Sequence, residues 1–99
     1  MSPTKVSTCE VMVLDDATNA TVAKLPWRQF PGVLLQGDSL KILHDDLGEA
    51  IDALREHDIP GATEVLDDIG ARIAELVARY EAALYAAGIE LPYSKESRE

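Results

Sequence analysis

The sequence predicts an α+β domain in which a small antiparallel sheet of two or three strands precedes an antiparallel two-helix hairpin. Before residue 38, apolar residues alternate with polar ones over short segments that prolines and glycines separate, a pattern typical of strands. After it, apolar residues recur every three or four positions over two long segments, as they do in amphipathic helices. A chain of 99 residues is long enough for one core, so we expect a single domain over 1–93 with a polar tail at 94–99.

The sheet half is expected over residues 5–37. Alternation predicts a first strand at 5–14 and a second at 20–25, joined by a turn at 15–19 that is rich in Asp, Asn and Thr. Pro26 and Pro31 interrupt regular pairing, because proline has no backbone N–H to donate. A short third strand at 33–36 follows Gly32.

The helical hairpin is expected over residues 38–88. Asp38 or Ser39 is a natural N-cap for a first helix that ends near residue 58, before Ile59-Pro60-Gly61 breaks it. A second helix is predicted at about 62–87, with Gly88 as the residue that ends it. The apolar faces of the two helices are expected to form the core of the hairpin, and they comprise Leu40, Leu43, Leu47, Ile51, Leu54, Leu66, Ile69, Ile73, Leu76, Val77, Tyr80 and Leu84.

Two glycines lie in the middle of these helices. Gly48 and Gly70 are equally far from the break between the helices, so an antiparallel hairpin places them at about the same height. A glycine inside a helix costs ~1 kcal/mol relative to alanine. The matching heights therefore suggest a close crossing of the two backbones, although both glycines sit at the edge of the apolar face.

Charge and composition exclude several classes of function. Residues 38–99 carry the whole net charge of −9, which repels nucleic acid and anionic membranes and favours a basic protein partner. No apolar segment approaches the ~18 residues that span a bilayer, so a cytoplasmic location is expected. One cysteine and two histidines make an internal disulfide impossible and a zinc site improbable. No catalytic motif or phosphate-binding loop occurs, and we expect neither enzymatic activity nor a cofactor.

The first helix carries an acidic stripe opposite its leucines. Asp45, Glu49, Asp52 and Glu56 follow one another at helical spacing, with no base on the same stripe. Like charges four residues apart destabilise a helix by a few tenths of a kcal/mol. The stripe is either a solvated face or a docking surface for a basic protein. A divalent metal site is a third interpretation, but it requires carboxylates that converge from both helices.

The segment between the second and third strands, "LPWRQFPG", holds the only tryptophan and the only phenylalanine. Trp27 and Phe30 either attach the sheet to the helices or form a contact patch with Arg28. Aromatic and arginine side chains held by rigid prolines lose little entropy on binding. The two roles are compatible if Phe30 lies inside and Trp27 lies exposed at the rim beside Arg28.

A resemblance comes from the same part of the chain. "KLPWRQFPGVLLQGDSL" resembles the L-P-x-R-x-F-P-G-V-x-x-Q-G-D-S-L stretch of an uncharacterised family of small bacterial proteins. "NATVAKLP" followed by "FPG" is similar to the N-terminal segment of AbrB- or MazE-like antitoxins. Those antitoxins read DNA with basic residues, whereas this half of the chain offers only Lys5, Lys24 and Arg28. The resemblance therefore implies an antitoxin- or immunity-like partner protein rather than DNA.

Together these observations predict a non-enzymatic protein-binding module. Its most concrete version is an acidic, antitoxin- or immunity-like inhibitor of a basic protein, with Asp45, Glu49, Asp52, Glu56, Trp27 and Arg28 as contact residues. The alternative is a homo-oligomerisation or scaffold module, a homodimer whose helical hairpins pair into a four-helix bundle.

Overall fold

The elements follow the predicted order in the computed structural model, which describes residues 5–16 and 19–95. Three strands precede two helices: β1 Met12–Asp16, β2 Ala20–Lys24, β3 Gly32–Leu35, α1 Gly37–Arg55 and α2 Ile59–Ala87. The strands form one antiparallel sheet in the order β1-β2-β3. Strands followed by a helical hairpin confirm the α+β class. Helix α2 contacts all three strands, whereas α1 packs mainly against α2.

Strand β1 is shorter than predicted, and it both begins and ends later in the chain. Residues 5–11 lie outside the sheet, and Asp15 and Asp16, predicted in the turn, pair with β2; residues 17 and 18 of that turn lie outside the described residues. A bulge between Val13 and Asp15 lets Leu14 and Asp15 both face the helices. Leu14 packs against the core, and Asp15 accepts a hydrogen bond from Arg79 of α2 at 2.8 Å.

Helix α1 begins two residues before its predicted caps. Its N-cap is Gln36, whose N–H donates to the carbonyl of Asn19 at 3.1 Å. This contact fixes an extended Gln36 at the end of the sheet, and the chain is helical from Gly37 onward. Asp38 therefore lies in the first turn, where its negative charge interacts favourably with the positive end of the helix dipole.

The break between the helices is tighter than the sequence suggests. His57 adopts a left-handed conformation with φ 61°, and the carboxylate of Asp58 accepts a hydrogen bond from the N–H of Gly61 at 3.0 Å. Asp58 is thus the N-cap of α2, and Ile59-Pro60-Gly61, predicted as the break, form its first turn. Proline fits there because the first N–H groups of a helix have no partner within it. Gly88, with φ 72°, ends α2 as predicted.

The core is small and lies between the sheet and the C-terminal half of α2. Val22 of β2 packs there with Tyr80, Ala83 and Leu84, and Leu84 is fully buried. The segment after α2 folds back on this core. Ile89 and Leu91 pack against it, and the ring of Tyr93 stacks on that of Tyr80. The rest of the predicted polar tail, from residue 96, lies outside the described residues.

Two predictions for the hairpin are wrong. Leu47 and Ile73, predicted in its core, are each 46% exposed. A Cβ added to Gly48 or Gly70 would meet no atom within 4 Å, so the two backbones do not cross closely there. The reason is that each helix presents only one row of residues to the other, with Ala50 and Ile69 among them, and the small sheet covers only the C-terminal part of α2.

Candidate functional site

One side of each helix faces the other helix. On α1 this side includes the buried Ala50 and the partly buried Asp46, whose carboxylate pairs with Arg72 of α2. On α2 it includes Ala62 and Ile69, both buried. These residues are three, four or seven positions apart, so they define one row along each helix axis.

A second row on each helix is apolar and about half exposed, and we call the two rows together the apolar face. Each of its residues comes one position after a residue of the contact row: Ile51 follows Ala50, and Ile73 follows Arg72. All of them are between 40% and 59% exposed, and they comprise Leu40, Leu47, Ile51 and Leu54 on α1 with Leu66, Ile73 and Val77 on α2.

The two apolar rows lie on the same side of the hairpin. One residue corresponds to a rotation of about 100° around a helix axis, and the rotation from contact row to apolar row has the same sense in α1 and α2. Since the two helices run antiparallel, equal rotations carry both rows to one side. The result is one continuous, mainly aliphatic surface across the hairpin, in which His44 and Thr63 also lie, rather than two separate stripes.

The carboxylates occupy the other side. Several acidic residues come one position before a contact residue, as Glu49 does before Ala50 and Glu75 before Leu76. The rotation is therefore opposite, and these side chains point away from the apolar face; we call this side the acidic face. Its acidic residues include Asp45, Glu49, Asp52 and Glu56 on α1 with Glu64, Asp68 and Glu75 on α2. None of the apolar-face positions holds an Asp or Glu.

The predicted acidic stripe is partly neutralised. Lys41 and His44 hydrogen-bond to the carboxylate of Asp45 at 2.8 and 3.0 Å, and these bonds hold the pKa of Asp45 below its ordinary value. Arg55 lies 4.0 Å from Asp52. The expectation that no base accompanies the stripe is therefore wrong for two of its four carboxylates. Within the described ranges, Glu49 and Glu56 form no ion pair.

The stripe does not gather metal ligands. Over residues 5–16 and 19–95, no group of three His, Cys, Asp or Glu side chains is arranged to hold a metal ion. The four carboxylates of the stripe point outward from the hairpin, and Asp68 of α2 is bound to Arg72.

Trp27 and Arg28 belong to a different surface. The loop between β2 and β3 turns tightly, with the N–H of Arg28 donating to the carbonyl of Leu25 at 3.1 Å. Trp27 is 68% exposed, and Phe30 is half-buried. Arg28 lines an apolar groove of about 490 Å³ on the side of the sheet away from the helices, together with Val13, Ala23, Leu25, Phe30 and Leu34. The structure does not bring these residues together with the acidic stripe.

The apolar face continues toward the sheet. Ile73 and Val77 form one wall of an open groove of about 390 Å³, and Val33 of β3 and the ring of Tyr93 lie opposite. β3 is an edge strand, so this end of the apolar face adjoins an unpaired strand edge.

Comparison with known proteins places the chain in a family. The model of a family of unknown function, DUF6959, matches residues 6–93. The chain belongs to DUF6959. The match spans both the sheet and the hairpin of this DUF6959 protein, and membership confirms the expectation of an uncharacterised family. No curated protein and no solved structure matches the chain. Neither described helix of the DUF6959 protein combines the length and apolarity that a bilayer crossing requires.

The apolar face of the DUF6959 protein is what sequence reasoning missed. Periodicity identified its residues but assigned them to the core of the hairpin. One signal was present: α1 carries apolar residues at Leu40, Leu47 and Leu54 in addition to the small residue Ala50 that contacts α2. A two-helix hairpin has a single contact row, so a second apolar row on each helix exceeds what the hairpin alone can bury.

Proposed function

We propose that this DUF6959 protein is a non-enzymatic protein-binding module and that the apolar face of its hairpin is the binding surface. One observation supports this most: seven large aliphatic side chains lie together about half exposed, with no carboxylate among them. Burying apolar surface contributes about 25 cal/mol per Å². Monomeric proteins rarely expose an apolar patch larger than a few hundred Å², and larger patches mark interaction sites.

The shape of the chain also supports a partner. The radius of gyration is 16.9 Å. A compact domain of 100 residues has a radius of gyration of about 13 Å. The accessible surface is 8027 Å² for a mass of 10.8 kDa. A compact monomer of that mass exposes about 5,500 Å². Residues 5–11, which lie outside the sheet, contribute part of this excess, and the half-exposed apolar face of the hairpin contributes another part, which a partner chain could cover.

A photo-crosslinking experiment tests this proposal. A photoreactive residue replaces Thr63, which lies on the side of the apolar face, and the matched control replaces Ala71, on the acidic face of the same helix. We expect irradiation in source cells to join the Thr63 variant to one defined protein, identified by mass spectrometry, and to leave the Ala71 variant largely free. Equal crosslinking from both positions, or none from Thr63, would contradict the proposal.

A second candidate function is the inhibition of a basic protein by the acidic face, in the manner of an antitoxin or immunity protein. The net charge of −9, the unpaired Glu49 and Glu56, and the similarity to AbrB- or MazE-like antitoxins support it. The same charge disfavours nucleic acid and anionic membranes as partners. We propose the cytoplasm as the location of this function.

Neutralisation of the stripe tests this candidate. The fourfold variant should keep the fold, and it combines Asp45→Asn, Glu49→Gln, Asp52→Asn and Glu56→Gln. The loss of like-charge repulsion offsets the loss of the ion pairs with Lys41 and Arg55. Capture of the basic partner should disappear, and capture by the unchanged chain should weaken with salt. Partner capture with unchanged affinity and salt response in the fourfold variant would reject the candidate.

A further inference from the structure

We propose that the occupant of the apolar face is a second copy of the same chain, so that two hairpins pack face to face as a four-helix bundle. This inference rests on the proposed function and names its partner. The spacing of the apolar rows and the position of the charges favour a second copy over a different protein, and the exposed area is sufficient for such an interface.

The apolar face can pack against itself. Leu40, Leu47 and Leu54 follow one another at intervals of seven, which is the spacing that keeps apolar residues on one seam between packed helices. A two-fold axis through the centre of the face would place the α1 row of one copy against a row of the other. In such an interface each copy contributes the same residues, so a continuous aliphatic surface without charges is sufficient.

If two copies associate, the position of the charges favours contact through this face over contact through the acidic face. Two chains with a net charge of −9 each repel one another, and the repulsion depends on how far apart the carboxylates are held. In a face-to-face arrangement, the acidic faces of both copies point outward, away from the shared seam. A basic partner would be attracted to the acidic face instead. The apolar face offers such a protein no carboxylate to bind.

The exposed area is sufficient for a stable dimer. The accessible surface of 8027 Å² exceeds that of a compact monomer of this mass by about 2,500 Å². A standard stable interface buries about 800 Å² on each partner, and obligate homodimers bury more and are more apolar. The excess is larger than one such interface, and the apolar face of the hairpin contributes to it together with residues 5–11 and the outer side of the sheet.

Gly70 supports the same arrangement. It lies between Leu66 and Ile73 at the edge of the apolar face, and a Cβ added there would meet no atom of its own chain within 4 Å. A glycine in a helix costs ~1 kcal/mol, and nothing inside the monomer requires it. In a dimer, a residue without a side chain permits a helix of the second copy to approach closely.

Sedimentation equilibrium of the full chain over a wide range of concentrations tests the inference. We expect a mass of twice 10.8 kDa. Leu47→Glu and Ile73→Glu, each of which puts a charge on the apolar face, should shift the protein to monomer. Ala71→Glu adds the same charge to the acidic face of α2 and should leave the dimer intact. Ile73→Ala gives a milder second variant, for which we expect at least a tenfold weaker dimer with helix content by circular dichroism unchanged.

The other outcomes separate this inference from the proposed function. A chain that is monomeric at every concentration but binds a hydrophobic dye, with Ile73→Glu abolishing the binding, would overturn the second copy and leave a different protein as partner. A dimer that survives both glutamate variants would also overturn the inference, because another surface would then hold it. A monomer that binds no dye would overturn the inference and the proposed function together.

Discussion

The phenol of Tyr80 donates a hydrogen bond to the backbone carbonyl of Pro31 across 2.7 Å, and both residues are buried. The bond joins the C-terminal half of α2 to the "FPG" segment that leads into β3. It orients the sheet on the helix, because Tyr80 also belongs to the core that Val22 and Leu84 complete.

Tyr80→Phe is predicted to lower the free energy of unfolding by about 1–3 kcal/mol, because the carbonyl of Pro31 would stay buried without a donor. Urea unfolding measures this loss. Tyr85→Phe is the matched control, since Tyr85 is on the same helix and fully in solvent, and it should change stability very little. Equal unfolding midpoints for the two variants would show that the hydrogen bond contributes nothing.

Two leucines should respond differently to truncation. Leu84→Ala is predicted to cost about 2–5 kcal/mol, the range for a fully buried leucine, at every protein concentration. Leu47→Ala should cost about 1 kcal/mol within a single chain, because half of the side chain is already in solvent. Its cost should rise with protein concentration if the apolar face is buried between two copies. Unfolding curves at two concentrations separate the cases, and a full-sized cost for Leu47→Ala in a proven monomer would contradict the exposure.

Tyr93 is predicted to titrate late. Its partial removal from water, the hydrogen bond it donates to Glu81 at 2.9 Å and the negative charge of Glu81 raise the pKa of Tyr93 to about 12. An unfolded tyrosine has a pKa of about 10. The folded chain therefore holds this proton more tightly, so the contribution to stability is complete below about pH 10 and is lost as the pH rises through about 12.

Ultraviolet absorbance of tyrosinate follows this titration. The step near pH 12 should disappear in Tyr93→Phe. It should move to lower pH in Glu81→Gln, which removes the negative charge beside the phenol. A wild-type chain whose tyrosines all titrate together at the ordinary pKa would refute the assignment.

Trp27 is predicted to emit as a solvent-exposed indole. It is the only tryptophan, so its fluorescence reports on the β2–β3 loop alone. The emission maximum should lie at long wavelength, and acrylamide should quench it strongly. Leu47→Glu should leave both quantities unchanged, because the loop lies away from the apolar face. Blue-shifted emission that resists quenching in a monomer would place Trp27 in the core.

Local rules predicted the elements well and their ends less well. Alternation identified the first two strands, the glycines that bound residues 33–36 indicated the third, and periodicity identified two helices, since all these patterns depend on residues close together in the chain. The start of α1 depends on the hydrogen bond from Gln36 to Asn19, which lies across the sheet and has no local signature. The pairing of Asp15 with Arg79 likewise depends on a bulge that brings together residues far apart in sequence.

The interaction surfaces were predicted only in part, and the reason differs from that for the ends of the elements. Periodicity shows that Leu47 and Ile73 lie on apolar rows, but it does not show what covers those rows. That depends on the size of the sheet and on which side of α2 it lies. The exposure of Trp27 was one of two interpretations, and the sequence pointed to it through the placement of Arg28 between the two aromatic residues, which is a local property of the chain.

The attachment of α1 has a consequence for folding. Its main contacts are with α2, and its apolar row lies in solvent, so the chain alone gives it less stabilisation than α2 receives from the sheet. Elements with few buried contacts open first in native-state hydrogen exchange. The amides of α1 should therefore exchange faster than those around Leu84. Any chain that covers the apolar face would then also act as a folding template, because part of its binding energy would be used to hold α1 closed.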